Sequence, residues 1–163
     1  MTIGLFGSCG NSRWRDQFIT IYEKMGINYF NPVKDDWQPE DAQNEAEHLA
    51  NDEVILFPVT DESLGLGSLG EVGFSILQAI KLDSTRDVIV MIDDVLNDNS
   101  KILYDESLVI ESIKMRALIK AHLKKLNYPN VYMVDTLDDM LSITLHLKEM
   151  NDMRKKISKF TSK

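Results

Sequence analysis

The sequence is short of cysteine, of positive charge, of long apolar runs and of metal-ligand spacings, and each shortage removes a class of protein. A single cysteine, Cys9, in 163 residues leaves no partner for an intrachain disulfide, which suits a reducing compartment. No apolar run approaches the roughly 20 residues of a membrane span. The opening residues, Met1 to Phe6, read as a strand followed at once by polar residues and not as a signal peptide. A soluble, cytoplasmic protein without a membrane partner is therefore expected. Lys and Arg number 18 against 26 Asp and Glu, a net charge of −8. That balance is wrong for a surface that neutralises a phosphate backbone, so nucleic acid is not expected as a partner. His48, His122 and His146 each stand alone in helical segments, with no HxxxH or paired-cysteine spacing. They read as surface or helix-face residues, and no metal is expected. Met25, Met91, Met115, Met133 and Met140 read as packing, not as a cofactor box.

What is present is a globular balance, 44% hydrophobic and 27% charged. The length fits one domain with a full core, 1–163. No internal repeat or low-complexity segment interrupts it. The stretch from about 150 to 163, carrying Arg154, Lys155, Lys156, Lys159 and Lys163, reads as the solvated end of a helix or a basic tail.

Five short runs are apolar almost throughout: Thr2 to Phe6, Ile27 to Phe30, Glu53 to Val59, Asp87 to Ile92 and Val131 to Val134. Strands covered by helices on both faces read this way, as opposed to alternating. Helical patterns lie between and after them at Ser12 to Met25, Glu40 to Asn51, Ser68 to Leu82, Asp105 to Leu126 and Thr136 to about Lys159. In the last, Thr136 is placed to cap the helix, with Asp138 and Asp139 in its first turn. The alternation of strand and helix, with right-handed crossovers, predicts an α/β fold: a flavodoxin-like, doubly wound, five-stranded parallel sheet of order 2-1-3-4-5. In that order a crevice opens beyond the carboxyl ends of strands 1 and 3, and the loops there should hold a ligand. The polar stretch Asp93 to Tyr104 reads equally as a mobile flap or a surface connection. Asp93 and Asp94 read as pocket-lining or loop-capping residues.

After strand 1 comes Gly7-Ser8-Cys9-Gly10-Asn11-Ser12-Arg13-Trp14-Arg15. It has neither the GxGxxG of a dinucleotide fingerprint nor a P-loop Gly-Lys-Ser/Thr. Gly7 lets backbone amides approach a ligand. Ser8 and Asn11 are candidates to bond a sugar, and Trp14 either shelves a base or closes the core. Arg13 and Arg15 read as solvated helix charges, and Cys9 as a small loop residue, since no histidine lies near it in sequence to activate a thiolate. After strand 3, three of the eight glycines fall at Gly65, Gly67 and Gly70, immediately before and at the start of a helix. Each costs about 0.5 to 1 kcal/mol relative to alanine inside a helix, so close approach of a ligand is the better account. Glu71 then falls in the first turn as read here. It is a carboxylate nucleophile favoured in its ionised form by the helix dipole, or the partner of Ser68 in a capping box.

Ser63-Leu64-Gly65-Leu66-Gly67 through Gly70-Glu71-Val72-Gly73 resembles the catalytic segment of the nucleoside 2-deoxyribosyltransferase superfamily. Phe30-Asn31-Pro32, Asp35-Asp36-Trp37 and Asn51-Asp52-Glu53-Val54-Ile55-Leu56-Phe57 are similar to the ordered short motifs of its deoxyribosyltransferase-like branch. With Gly7-Ser8 and Trp14, the resemblance covers about the first half of the chain. It implies a transferase or hydrolase acting at the N-glycosidic bond of a (deoxy)nucleoside or nucleotide, with Glu71 as nucleophile and no cofactor. By motif order it nominates Asp52 and Asp61 as second acidic groups, Asn31 and Pro32 as substrate-binding residues, and Asp36 and Trp37 as wall residues. The loop before Glu71 is longer than in the branch that hydrolyses deoxynucleotide 5′-phosphates, although Ser8, Ser63 or Ser68 could serve a phosphate. The superfamily often completes its pocket from a neighbouring subunit, which implies a homo-oligomer. The alternatives are an N-glycosidase of NAD or of deoxynucleotide 5′-phosphates, and a nucleotide-binding module without turnover. Base preference, the 5′ group and transfer versus hydrolysis stay open at this level.

Overall fold

In the computed structural model, which describes residues 1–83 and 85–160, strands and helices alternate along the chain. They are β1 (Thr2–Leu5), α1 (Trp14–Met25), β2 (Asn28–Phe30), α2 (Asp41–Asn51), β3 (Val54–Val59), α3 (Leu66–Leu82), β4 (Asp87–Ile92), α4 (Asp98–Leu103), α5 (Glu106–Leu123), β5 (Val131–Val134) and α6 (Leu137–Ser158). The strands form one five-stranded sheet of order β2-β1-β3-β4-β5, parallel at every pairing, with Ile3 beside Val54 and Val54 beside Asp87. This is the flavodoxin-like order expected from the sequence.

Side chains of a strand alternate between faces, and each face has its own core. Ile55, Phe57 and Val59 of β3, with Val88, Val90 and Ile92 of β4, pack on one face against Leu69, Val72, Ile76 and Ala79 of α3 and Leu123 of α5. On the other, Ile3, Leu5, Val54, Leu56, Ile89 and Met91 pack against Trp14, Phe18 and Tyr22 of α1 and Met140 and Leu141 of α6. All six residues of β3 are buried, which is why this strand reads as a continuous apolar run. No helix among the described residues is long and apolar enough to cross a membrane.

Two sequence expectations, the start of α3 and the capping box, need correcting. The helix placed from Ser68 begins two residues earlier, at Leu66, because Gly65 takes a left-handed conformation (φ 64°) and its carbonyl accepts the first helical hydrogen bond from Leu69 N at 2.8 Å. Ser68 is thus a helical residue and makes no cap bond, so the capping-box reading of Ser68 and Glu71 falls. The stretch Asp93 to Tyr104, left open as a flap or a surface connection, contains α4, capped by Asn97, whose Oδ1 accepts from Ser100 N at 2.8 Å; most of it is exposed, with Leu96 and Ser100 buried. Thr136 does cap α6, accepting from Asp139 N at 3.0 Å. Of the basic cluster near the C-terminus, Arg154, Lys155, Lys156 and Lys159 are exposed, while Lys163 lies outside the described residues.

Candidate functional site

β1 and β3 are neighbours, but the chain leaves β1 toward β2 and leaves β3 toward β4. Their following loops diverge, and the gap between them is a crevice of about 380 Å³. Gly7, Cys9 and Gly10 from the first loop, and Ser63 through Ser68 from the second, line it together with Pro32, Glu45, Glu71 and Tyr104. That volume is in the range of small-molecule sites.

The second loop is shaped from beneath. A Cβ on Gly65 would stand 2.7 Å from Val59 Cγ1 and 3.3 Å from Arg116 Nη2, besides straining a left-handed residue, so only glycine fits. Arg116, from α5, is fully buried, and its guanidinium donates to the carbonyls of Val59 (3.2 Å), Asp93 (3.0 Å), Thr60 (3.0 Å) and Ser63 (2.7 Å). Its Nε donates to Ser112 Oγ at 3.2 Å. Burial lowers the guanidinium pKa, while the carboxylates of Asp93 and Asp61 oppose that loss. Arg15 does the same service for the first loop: it is 5% exposed, donates to the carbonyls of Leu5 (2.9 Å), Ser8 (2.6 Å) and Gly7 (3.3 Å), and lies over the Trp14 ring. The expectation that Arg15 is a solvated helix charge is therefore wrong, because loop carbonyls turned inward need a buried donor. Arg13 does stay exposed, paired with Asp16.

The two loops are also stitched to each other. Gly7 has φ 94°, and a Cβ there would run into the Pro58 carbonyl; that carbonyl accepts from Ser8 N at 2.8 Å. Ser8, completely buried, accepts through Oγ from Thr60 N at 3.1 Å. Its side chain is thus engaged within the chain and does not line the crevice. Trp14 is 3% exposed, packs edge-on against Phe18 and donates to Ser8 O at 3.1 Å, which is the core-closing role. Asn11 is exposed and does not line the crevice.

Glu71 stands in the second turn of α3 and lines the crevice. No hydrogen bond or ion pair among the described residues engages its carboxylate. Its surface is solvent-accessible, yet the surrounding walls strip part of its hydration; this, and the negative charge of Glu45, push its pKa above the ordinary carboxyl range. The direction is opposite to that expected from a first-turn helix dipole: Glu71 falls in the second turn of α3, and loss of hydration and the charge of Glu45 both raise its pKa. The N–H groups of Leu66, Gly67 and Ser68 precede the first helical bond, and no side chain caps them. Gly67 has open space where a Cβ would stand, so packing within the chain does not call for a glycine there.

The companion residues named from the sequence divide. Pro32, Ser63, Gly65, Gly67 and Ser68 join Glu71 in the crevice. Asp52 does not line it. It is 3% exposed, and both its oxygens face His48 Nδ1 at 3.0 and 3.2 Å. Space for its carboxylate exists because Gly4 has no side chain: a Cβ there would be 2.9 Å from Asp52 Oδ2. Burial raises the Asp52 pKa, and His48 opposes that shift. His48, expected as a plain helix-face residue, instead stacks on Phe30 with ring centroids 3.7 Å apart while holding Asp52. Asp61 lies in a separate cavity of about 460 Å³, with Trp14, Glu62, Asp93 and Asp135. There Asp61 N donates to Asp93 Oδ2 at 2.8 Å. Asn31 Oδ1 accepts from Val33 N at 3.1 Å, a local turn bond. Asp36 is exposed and bonded to Gln38. Trp37, half exposed, donates through Nε1 to Glu45 Oε1 at 2.9 Å. Asp94 pairs with Lys120 at 2.7 Å.

Neither a family model nor a curated protein matches this chain. The functional reading accordingly rests on the motif residues and on their placement. Among the described residues no group of three or more His, Cys, Asp or Glu is placed to hold a metal. Sequence reasoning missed Glu45, Tyr104, Arg116 and the His48–Asp52 pair. Only the last had a legible signal, an i, i+4 spacing of opposite polarity at the end of α2.

Proposed function

We propose that this chain cleaves or transfers at the N-glycosidic bond of a (deoxy)nucleoside or nucleotide, with Glu71 as the nucleophile. The observation that carries this reading is the placement of Glu71: an accessible carboxylate without a hydrogen-bond or ion-pair partner among the described residues, inside a crevice of small-molecule size at the carboxyl ends of β1 and β3. The motif resemblance supplies the reaction class. A carboxylate oxygen of Glu71 bonds to the anomeric carbon as the C–N bond breaks, and the electron pair departs with the base, which takes up a proton from solvent water. Attack by water or by a second base on the glycosyl-enzyme then releases Glu71. The transition state is oxocarbenium-like, so a nearby negative charge stabilises it.

No Lys, Arg or His side chain lines the crevice among the described residues. That favours a substrate with an uncharged 5′ group over a 5′-phosphate, which would meet Glu71 and Glu45 with only neutral donors, backbone N–H groups and the hydroxyls of Ser63, Ser68 and Tyr104, to hold it. A cytoplasmic location fits the one unpaired cysteine, and the resemblance to a superfamily with shared pockets favours a homo-oligomer.

The test is release of free base from deoxynucleosides, deoxynucleotides and NAD, with wild type and Glu71→Gln. Turnover by the wild type with a fall of several orders of magnitude in the variant supports the reading, as does a glycosyl adduct on Glu71 in intact-protein mass spectra. All substrates left intact at high protein concentration, or an unaltered rate in the variant, would remove it.

A further inference from the structure

The acidic groups that the resemblance sets beside Glu71, namely Asp52 and Asp61, do not share its crevice, but another carboxylate does. Glu45, on α2, lines it together with Glu71 on α3. Resting on the N-glycosidic reading of this site, we infer that Glu45 is its second catalytic carboxylate, accepting a sugar hydroxyl and opposing negative charge to the oxocarbenium-like centre, with Trp37 positioning it.

Glu45 is held from two directions. Three residues further along α2, on the same side of the helix, His48 stacks on Phe30 and bonds the buried Asp52, which fixes this part of the helix against β2 and the start of β3. From the loop before α2, Trp37 Nε1 donates to Glu45 Oε1 at 2.9 Å. Glu45 makes no other hydrogen bond among the described residues, which leaves Oε2 for a ligand.

The electrostatics point the same way. Glu45 is one of the two causes that raise the Glu71 pKa, after loss of hydration, so the two carboxylates repel each other across the crevice. Buried Arg15 feels Glu45 as well, but its guanidinium is turned to the loop carbonyls and the Cys9 sulfur. Repulsion between two anions is relieved when positive charge develops between them, and such a preorganised field acts more on the transition state than on a neutral substrate. Glu45 transfers no proton in this scheme. Its effect should fall on kcat more than on KM.

The experiment compares Glu45→Gln, Glu45→Asp, Trp37→Phe and Glu71→Gln by two readouts: nucleoside cleavage, and titration of the Glu71 carboxyl by carbon NMR in glutamate-labelled protein. Glu45→Gln should lose about a hundredfold or more in kcat with KM within a few-fold, and should move the Glu71 titration to lower pH. Glu45→Asp should recover part of both, and Trp37→Phe should lower kcat less than Glu45→Gln. An unshifted Glu71 titration in Glu45→Gln overturns the inference whatever the rate. A shifted titration with unchanged kcat, while Glu71→Gln is inactive, overturns the catalytic role of Glu45 and leaves the N-glycosidic reading standing. A wild type inert toward every nucleoside and nucleotide overturns that reading and this assignment together.

Discussion

Replacing Arg116 should be the most damaging single change to the loop that carries the crevice. Four carbonyls converge on its guanidinium, and of these the Val59 carbonyl keeps a second donor in Asp93 N at 2.9 Å. Among the described residues, the carbonyls of Thr60, Ser63 and Asp93 have Arg116 as their donor and no second one. A buried acceptor left without a donor costs about 1–3 kcal/mol. For three acceptors that makes about 3–9 kcal/mol, and water entering the space vacated by the side chain should hold the total for Arg116→Ala to its lower part, about 3–5 kcal/mol, the usual range for breaking a buried charged network. Set against roughly 5–15 kcal/mol for a typical domain, the variant folds but is marginal. Arg116→Met fills the space without donors and should lose a similar amount, which separates hydrogen bonding from packing. Arg116→Lys keeps the charge and three donors on a point-like head, and should lose about 1–3 kcal/mol. Urea titrations followed by far-ultraviolet circular dichroism give the differences, provided the slopes agree with wild type. If Arg116→Ala and Arg116→Met both fall within about 1 kcal/mol of wild type, the carbonyls are satisfied some other way and the argument fails.

Gly65→Ala should cost about 1–2 kcal/mol for the left-handed backbone and a further 1–3 kcal/mol for the contact with Val59, read as a lower urea midpoint; a neutral result would mean that the loop can relax. Glu71→Gln should stabilise the protein at pH 7. The raised Glu71 pKa means that its favourable contribution is complete below the unfolded carboxyl value, about 4.3, and is lost as pH rises through the folded value. The gain should be on the scale of exposed charge effects, about 0.2–1 kcal/mol, and should vanish in acid; a gain independent of pH would contradict the assignment. Cys9 is exposed and lines the crevice, so alkylation by iodoacetamide should be slowed by a saturating nucleoside and should itself block ligand binding. Equal alkylation rates with and without nucleoside would place the ligand elsewhere.

The sheet was legible because its central strands β1, β3 and β4 are buried on both faces, and β3 shows this most clearly, as six consecutive apolar residues bounded by Glu53 and Thr60. The crevice followed from strand order and from Gly65 and Gly67. What stayed hidden was which charged residues turn inward. Arg15 and Arg116 sit in helical stretches whose neighbours are ordinary, and nothing local says that a loop three-dimensionally adjacent will present its carbonyls to them. Asp52 reads as a strand-boundary residue next to an acidic neighbour, and its capture by His48 depends on the room left by Gly4 on another strand. Glu45 is one of several acids on α2, and its place in the crevice is set by how that helix packs against α3 and, through His48, against Phe30.

These hidden residues share a pattern. The cations are spent behind the loops, on backbone carbonyls, while the carboxylates Glu45 and Glu71 face the open crevice. A guanidinium committed to three or four carbonyls cannot swing out to meet an anion without abandoning them, at several kcal/mol. The crevice wall is therefore fixed in charge as well as in shape. Any ligand must bring hydroxyl or amide donors, or acquire positive charge, to satisfy it. A 5′-phosphate added to an otherwise accepted nucleoside should weaken binding, and most at low ionic strength, where the repulsion from Glu45 and Glu71 is least screened. Binding that instead tightens with the phosphate would show that the N–H groups at the start of α3 outweigh the two carboxylates.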